Sequence, residues 1–153
     1  MQIPDKLKLY VNGPHGINMG TRGPDLKPEY ARALGSRFVD DQHIKVFFDG
    51  PSAGRTLENL KDNGMASVIL CSLENYESYQ FKGKSLSVYP ANTEEQQLIA
   101  NYLEDINVLL VNVGFPDQGM YKYPRSSMMT LVMEVEEIFE QTPKAGTGQK
   151  VFT

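Results

Sequence analysis

The residues best placed to do chemistry lie in Ser52 to Gly64, SAGRTLENLKDNG, directly after the apolar run Ile44-Lys45-Val46-Phe47-Phe48. The pattern predicts a short helix that follows a strand, with Arg55 and Thr56 in its first turn. Free N–H groups at a helix N-terminus favour an anion. A guanidinium and a hydroxyl added there suit a phosphate. An ordinary surface helix carries the same signature, so spacing alone leaves both readings open.

A second unusual stretch is Tyr30-Ala31-Arg32-Ala33-Leu34-Gly35-Ser36-Arg37. Read as a strand, it has one nearly bare face (Ala31, Ala33, Gly35) and one face with Tyr30, Arg32 and Leu34. Small residues let backbone amides approach a flat ring closely. They equally let a helix pack on the sheet, with the arginines at the surface.

The remaining reactive side chains form no recognisable constellation. His15 follows a proline in a loop and His43 starts a strand, and neither has a Ser, Cys or Asp in a triad motif. Metal-ligand spacing is absent, and no metal is expected. Cys71, the one cysteine, lies in the apolar run MASVILCS and reads as a structural thiol. Glu134, Glu136, Glu137 and Glu140 read as a solvated strand face. A net charge of −4 argues against non-specific nucleic-acid binding. No run approaches the roughly 20 apolar residues of a membrane span, and the N-terminus opens no signal peptide. These features lead to the expectation of a cytoplasmic protein with no nucleic-acid or membrane partner.

These residues need elements to position them. A length of 153 residues with 41% hydrophobic residues suits one domain, 1–153, with a real core. Helical spacing marks Pro4 to Val11, and Asn12-Gly13-Pro14 breaks it. Strands are expected at Ile17 to Arg22, Glu29 to Val39, Ile44 to Phe48, Met65 to Ser72, Tyr79 to Tyr89 and around Met129 to Val135. The apolar phase of the fifth strand changes near Gly83, which predicts a β-bulge there. Thr93 to Val113 is the strongest helix, with Thr93 and Gln96 as a capping box and an apolar stripe of Leu98, Tyr102, Ile106, Leu109, Leu110 and Val113. Phe115 to Arg125 reads as a loop. The Gly- and Lys-rich tail from Pro143 is expected to need a contact to order it. Six strands with interspersed helices predict a mainly β (α+β) chain, an antiparallel barrel with peripheral helices.

In colinear order the chain shows GTRG on the first strand, PEYARALGSR on the second, IKVFFDG on the third, RTLENLKDNG on the helix, YQFKGK on the fifth strand, and FEQTP near the end. This order resembles the pyridoxamine 5′-phosphate oxidase-like family of FMN-binding split barrels, over roughly residues 4–148. The resemblance implies a six-stranded antiparallel Greek-key split barrel and a homodimer with FMN at the subunit interface. It implies that Arg55, Thr56 and Asn59 serve the flavin phosphate. Arg32, Ala33, Leu34, Gly35 and Ser36 would run along the isoalloxazine, with Phe48 and Asp49 at the end of the third strand. Gln80 would face flavin across the interface. The true oxidases have a basic pair or triplet on the phosphate helix, where this chain has Arg55-Thr56. They also have a C-terminal Arg and His for pyridoxal phosphate, where this chain ends QTPKAGTGQKVFT. The resemblance therefore points to a flavin-dependent oxidoreductase of unknown substrate, with no side chain assigned as catalytic. The alternatives are a non-catalytic flavin-binding or sensing module, or a split barrel holding haem or a deazaflavin.

Overall fold

The computed structural model describes residues 2–117 and 127–152. Its helices are α1 (Asp5–Val11), α2 (Thr56–Asn63) and α3 (Thr93–Asn112). Its strands are β1 (Gly16–Arg22), β2 (Pro28–Asp40), β3 (His43–Asp49), β4 (Met65–Cys71), β5 (Ser78–Pro90), β6 (Met128–Glu140) and β7 (Lys150–Phe152). The expected loop over 115–125 lies outside the described residues from 118 onward.

Antiparallel pairing runs β3-β2-β1-β4-β5-β6, and β6 returns to β3 to close a six-stranded barrel. The meander β1-β2-β3 with β4 returning beside β1 is the Greek-key order. Closure leaves few open strand edges. Alternate residues point inward, so Ile17, Met19, Val46, Phe48, Val68, Leu70, Phe81, Leu131 and Met133 are buried together as the core. The β2–β3 turn is held by Asp40, whose Oδ1 accepts from the N–H groups of Gln42 at 2.9 Å and His43 at 3.0 Å.

Four details depart from the sequence reading. The helix expected over 52–64 is split: Pro51–Ala53 forms a 3-10 turn, Gly54 bends the chain at φ +55°, and α2 starts at Thr56. Arg55 is therefore the N-cap residue. The capping box of α3 is Asn92 with Glu95, one residue before Thr93 and Gln96, because Asn92 is the last extended residue. The tail is ordered by its own chain. Gly148 N–H donates to Glu140 at 2.8 Å, and β7 pairs with β6. The bulge expected in β5 near Gly83 is displaced: at Lys82/Gly83 the unpaired residue is Glu136 of β6, and the unpaired residue of β5 is Leu86, between Ser85 and Ser87. The β5–β6 register shifts between Lys82 and Gly83, and a Cβ at Gly83 would stand 1.8 Å from the Glu134 carbonyl oxygen.

Glu95 also ties α3 to the barrel. Its Oε2 lies 3.0 Å from Lys45 Nζ and accepts from Tyr89 Oη at 2.9 Å. Burial pushes the Glu95 carboxyl up, but the Asn92 N–H, Lys45 and Tyr89 together outweigh it and hold the group below its usual value.

Candidate functional site

The barrel wall has a sealed side and a bare side. On the sealed side, β2 breaks register between Ala33 and Ser36, and Gly35 sits there at φ +129°. A Cβ on Gly35 would meet Phe47 at 3.2 Å and Tyr102 of α3 at 3.5 Å. Ser36 Oγ donates to the Val11 carbonyl of α1 at 2.5 Å, and Tyr102 Oη to the His15 carbonyl at 2.6 Å. Ala33, Leu34, Gly35 and Ser36 are thus buried. Gly35 and Ser36 are held by helices α3 and α1. Of the three small residues, only Gly35 packs against a helix; Ala31 and Ala33, before the register shift, are buried in the barrel core and pair with Met19, Ile17 and Phe48.

The other side is formed by outward residues of β2, β1, β4 and β5. Arg32 and Tyr30 stand on β2, and Tyr30 Oη donates to Asn18 Oδ1 of β1 at 2.7 Å. Gln80 Nε2 donates to Ser67 Oγ of β4 at 2.8 Å, and Gln141 Nε2 donates to Gln80 Oε1 at 3.0 Å. Tyr30, Arg32, Met65, Lys82 and Lys84 are exposed, and Asn18, Ser67, Ile69 and Gln80 half-buried. Cys71, read from sequence as buried, is half-buried on β4.

A groove of about 320 Å³ crosses this bare side. Gly20, Ala66, Ser67 and Gly83 give it a floor with little side chain, and Arg22, Lys82, Glu136 and Glu137 supply its charges. The two glutamates are neutralised from outside: Lys84 Nζ lies 3.4 Å from Glu136 and Lys150 Nζ 2.9 Å from Glu137. Neither cation has a carboxylate within 4 Å among the described residues, although Lys150 and, to a lesser degree, Lys82, opposite Glu137 in the ladder, hold the Glu137 carboxyl below its usual value. Arg22 Nη1 makes one long bond of 3.4 Å to the Gly23 carbonyl, and Lys82 Nζ stands 4.7 Å above the Phe139 ring. The local balance favours an anionic ligand. The sequence reading missed Arg22 and Lys82. They lie in the GTRG and YQFKGK runs quoted above, where only the partners of Glu136 and Glu137 reveal the surplus charge.

Helix α2 adjoins this groove. Asn59 Nδ2 donates to Thr21 Oγ1 at 3.1 Å, and Asn63 Nδ2 to the Arg22 carbonyl at 2.8 Å. At its start, Arg55 is partly exposed and faces carboxylates: Nε lies 3.6 Å from Glu29 Oε2 and Nη1 3.9 Å from Asp25 Oδ2. Thr56 is fully enclosed, and its Oγ1 has no hydrogen-bond partner among the described residues. Asp49 is buried at the end of β3. Its Oδ2 accepts from Ser52 N–H at 3.2 Å, and its Oδ1 is also unpartnered. Phe48 is core. Arg55, Thr56 and Asn59 therefore gather at one helix, while Arg32 and Gln80 belong to the open sheet face and Ala33 to Ser36 to the sealed one.

Neither histidine lines the groove. His15 stacks on Tyr10 with ring centroids 4.0 Å apart, and its Nε2 bonds the Tyr10 carbonyl at 2.7 Å. Burial pushes the His15 imidazole down. His43 Nδ1 is 2.7 Å from Asp40. No described helix is long and apolar enough to cross a membrane.

No family model matches the chain, and no curated protein does. Solved structures do. HupZ of Group A Streptococcus is 17% identical, with 96% of this chain and 98% of that one covered at a TM-score of 0.58. An F420 reductase is 12% identical, with 89% and 98% covered at 0.56. A pyridoxamine 5′-phosphate oxidase-related, FMN-binding protein of Nostoc punctiforme is 15% identical, with 95% and 85% covered at 0.53. The chain has the pyridoxamine 5′-phosphate oxidase-like split-barrel fold.

Proposed function

We propose that this chain binds FMN as a homodimer, one flavin in each groove between two copies, and acts as an oxidoreductase. The groove on the bare side carries this reading. It is concave, floored by small residues, supplied with two cations that have no ion pair among the described residues, and open on one side. Its volume is at the low end for a ligand site, about 300–1,000 Å³, so a second wall would complete it. Another copy of the chain supplies that wall. Arg22 and Lys82 provide positive charge to the cofactor, and Arg55, which caps the neighbouring helix, reaches toward its phosphate. Ser67 and Gln80 offer hydrogen bonds on the open face, and Arg32 lies beyond them on β2. Asn59 ties the helix to Thr21 of β1, and Asp49 at the end of β3 accepts from Ser52 N–H in the turn before it, with Phe48 in the core beside Asp49 and the buried Thr56 at the helix start. Ala33, Leu34, Gly35 and Ser36 serve by fixing the opposite wall. A bound flavin supplies hydride or electron transfer, and the chain supplies binding, orientation and charge.

Mass identification of the cofactor extracted from purified protein, with light scattering on the same sample, tests this. FMN on a dimer is the expected result. A monomer with flavin still bound would remove the interface from the proposal. A second reading, a deazaflavin in the same groove, draws support from the F420 reductase of the same fold. The extracted mass separates the two. Anaerobic mixing with NADH or NADPH then distinguishes an enzyme from a binding module, which would leave its flavin oxidised.

A further inference from the structure

We propose that Glu29 sets the phosphate preference of the cofactor site, acting as the chain's own counter-anion for Arg55 and competing with a ligand phosphate for that seat. The proposal rests on reading the groove as a flavin site. Glu29 Oε2 accepts the backbone N–H of Arg55 at 3.2 Å and lies 3.6 Å from its Nε. One carboxylate thus engages both the main chain and the guanidinium of the N-cap residue of α2, where an incoming phosphate would bind. Gly54 makes room for it: a Cβ there would stand 2.9 Å from the Glu29 carboxyl. Thr56, the first residue of α2, adds a fully buried hydroxyl with no partner among the described residues. Glu29 pairs with Thr21 across β1 and β2, and Thr21 lines the groove, so the seat adjoins it. Asp25 also faces Arg55, at 3.9 Å, but it is shared with Lys27 at 3.6 Å. A dianionic phosphate group and the Glu29 carboxylate repel one another at so short a range. The chain therefore holds FMN less tightly, relative to riboflavin, than its groove would otherwise allow.

The test is Glu29→Gln, which keeps shape and removes charge. FMN and riboflavin affinities are measured by flavin fluorescence, and inorganic phosphate is titrated against the Arg55 amide by NMR. FMN should bind about tenfold tighter to the variant, riboflavin should be unchanged, and phosphate should shift the Arg55 amide more strongly than in the natural chain. Equal changes for FMN and riboflavin, or phosphate binding no stronger than before, would overturn the role of Glu29. Stronger phosphate binding with neither flavin held by either protein would instead sink the flavin reading and leave Glu29 in its role. If Glu29→Gln does not fold, Glu29→Asp withdraws the carboxylate by one methylene and must shift FMN and phosphate binding in the same direction.

Discussion

Gly35 and Gly83 are both strand glycines beside a register shift, yet they serve opposite sides of the barrel. Gly35 is roofed by Tyr102 and backed by Phe47, so the atoms that exclude a side chain there are themselves side chains. Gly83 lines the groove, and the atom that excludes a side chain is the backbone carbonyl of Glu134. Side chains can rotate aside by a few tenths of an ångström, whereas a paired strand cannot move without breaking its ladder. The sealed side is therefore the more tolerant of the two to a small substitution. On the bare side the strand backbone is rigid, and the residues with room to move are the exposed ones above it.

The largest effect is expected at Gly83. Gly83→Ala should lose at least about 4 kcal/mol or fail to fold, because relief requires moving β5 from β6. Gly35→Ala should cost less, about 2–3 kcal/mol, from the positive φ and the 3.2 Å contact together. Urea denaturation of the two variants side by side checks the ranking. A Gly35 variant less stable than the Gly83 one would invert the comparison. Flavin affinity should be nearly unchanged in Gly35→Ala, since that residue belongs to the helix-packed wall.

Glu95 sharpens the picture of the sealed side. Glu95→Gln should cost about 1.5–2 kcal/mol through its weakened bonds to Lys45 and Tyr89. The pH dependence has a fixed sign. The folded carboxyl titrates below its usual 4.5, so its stabilisation is present above that value and is lost as pH falls through the lower, folded one. The stability gap between the natural chain and Glu95→Gln should therefore narrow below about pH 4.5 and stay constant above it. A gap that widens in acid would contradict the hydrogen-bond pattern.

Much of this fold was legible because period-2 alternation and glycine placement act locally. The phase change in the fifth strand showed that a bulge was needed, but its residue is Leu86, three positions past Gly83, and the register shift at Gly83 itself comes from Glu136 of β6, which only strand pairing reveals. The N-cap of α3 was misplaced by one residue because Thr93 and Asn92 are both good caps, and only the extended backbone of Asn92 chooses between them. The candidate site was legible only in part. Arg55 stood out as a type at a position, but sequence could not show that Glu29, 26 residues earlier, faces it. Nor could it show that Glu136 and Glu137 are neutralised by Lys84 and Lys150, leaving Arg22 and Lys82 without an ion pair among the described residues. Such surpluses arise from cross-strand neighbours, which register alone decides.

The smallest effect on stability, and the most selective on function, is expected from those two cations. Arg22→Gln and Lys82→Gln remove charge from exposed side chains that form no ion pair with described residues. Each should therefore leave the urea midpoint within about 0.5 kcal/mol of the natural chain. Each should weaken FMN binding about tenfold, the worth of one partly screened charge beside an anionic ligand. The effects should shrink as salt rises, because the groove is open to solvent on at least one side. Because both cations act on one ligand, the double variant should bind FMN more weakly than either single variant without the two effects simply multiplying. The contrast with Gly35→Ala then becomes a double dissociation: a variant of the sealed side loses stability and keeps flavin, while variants of the bare side keep stability and lose flavin. Charge variants that bind FMN as tightly as the natural chain would place the ligand away from this groove, and with it the functional difference between the two sides.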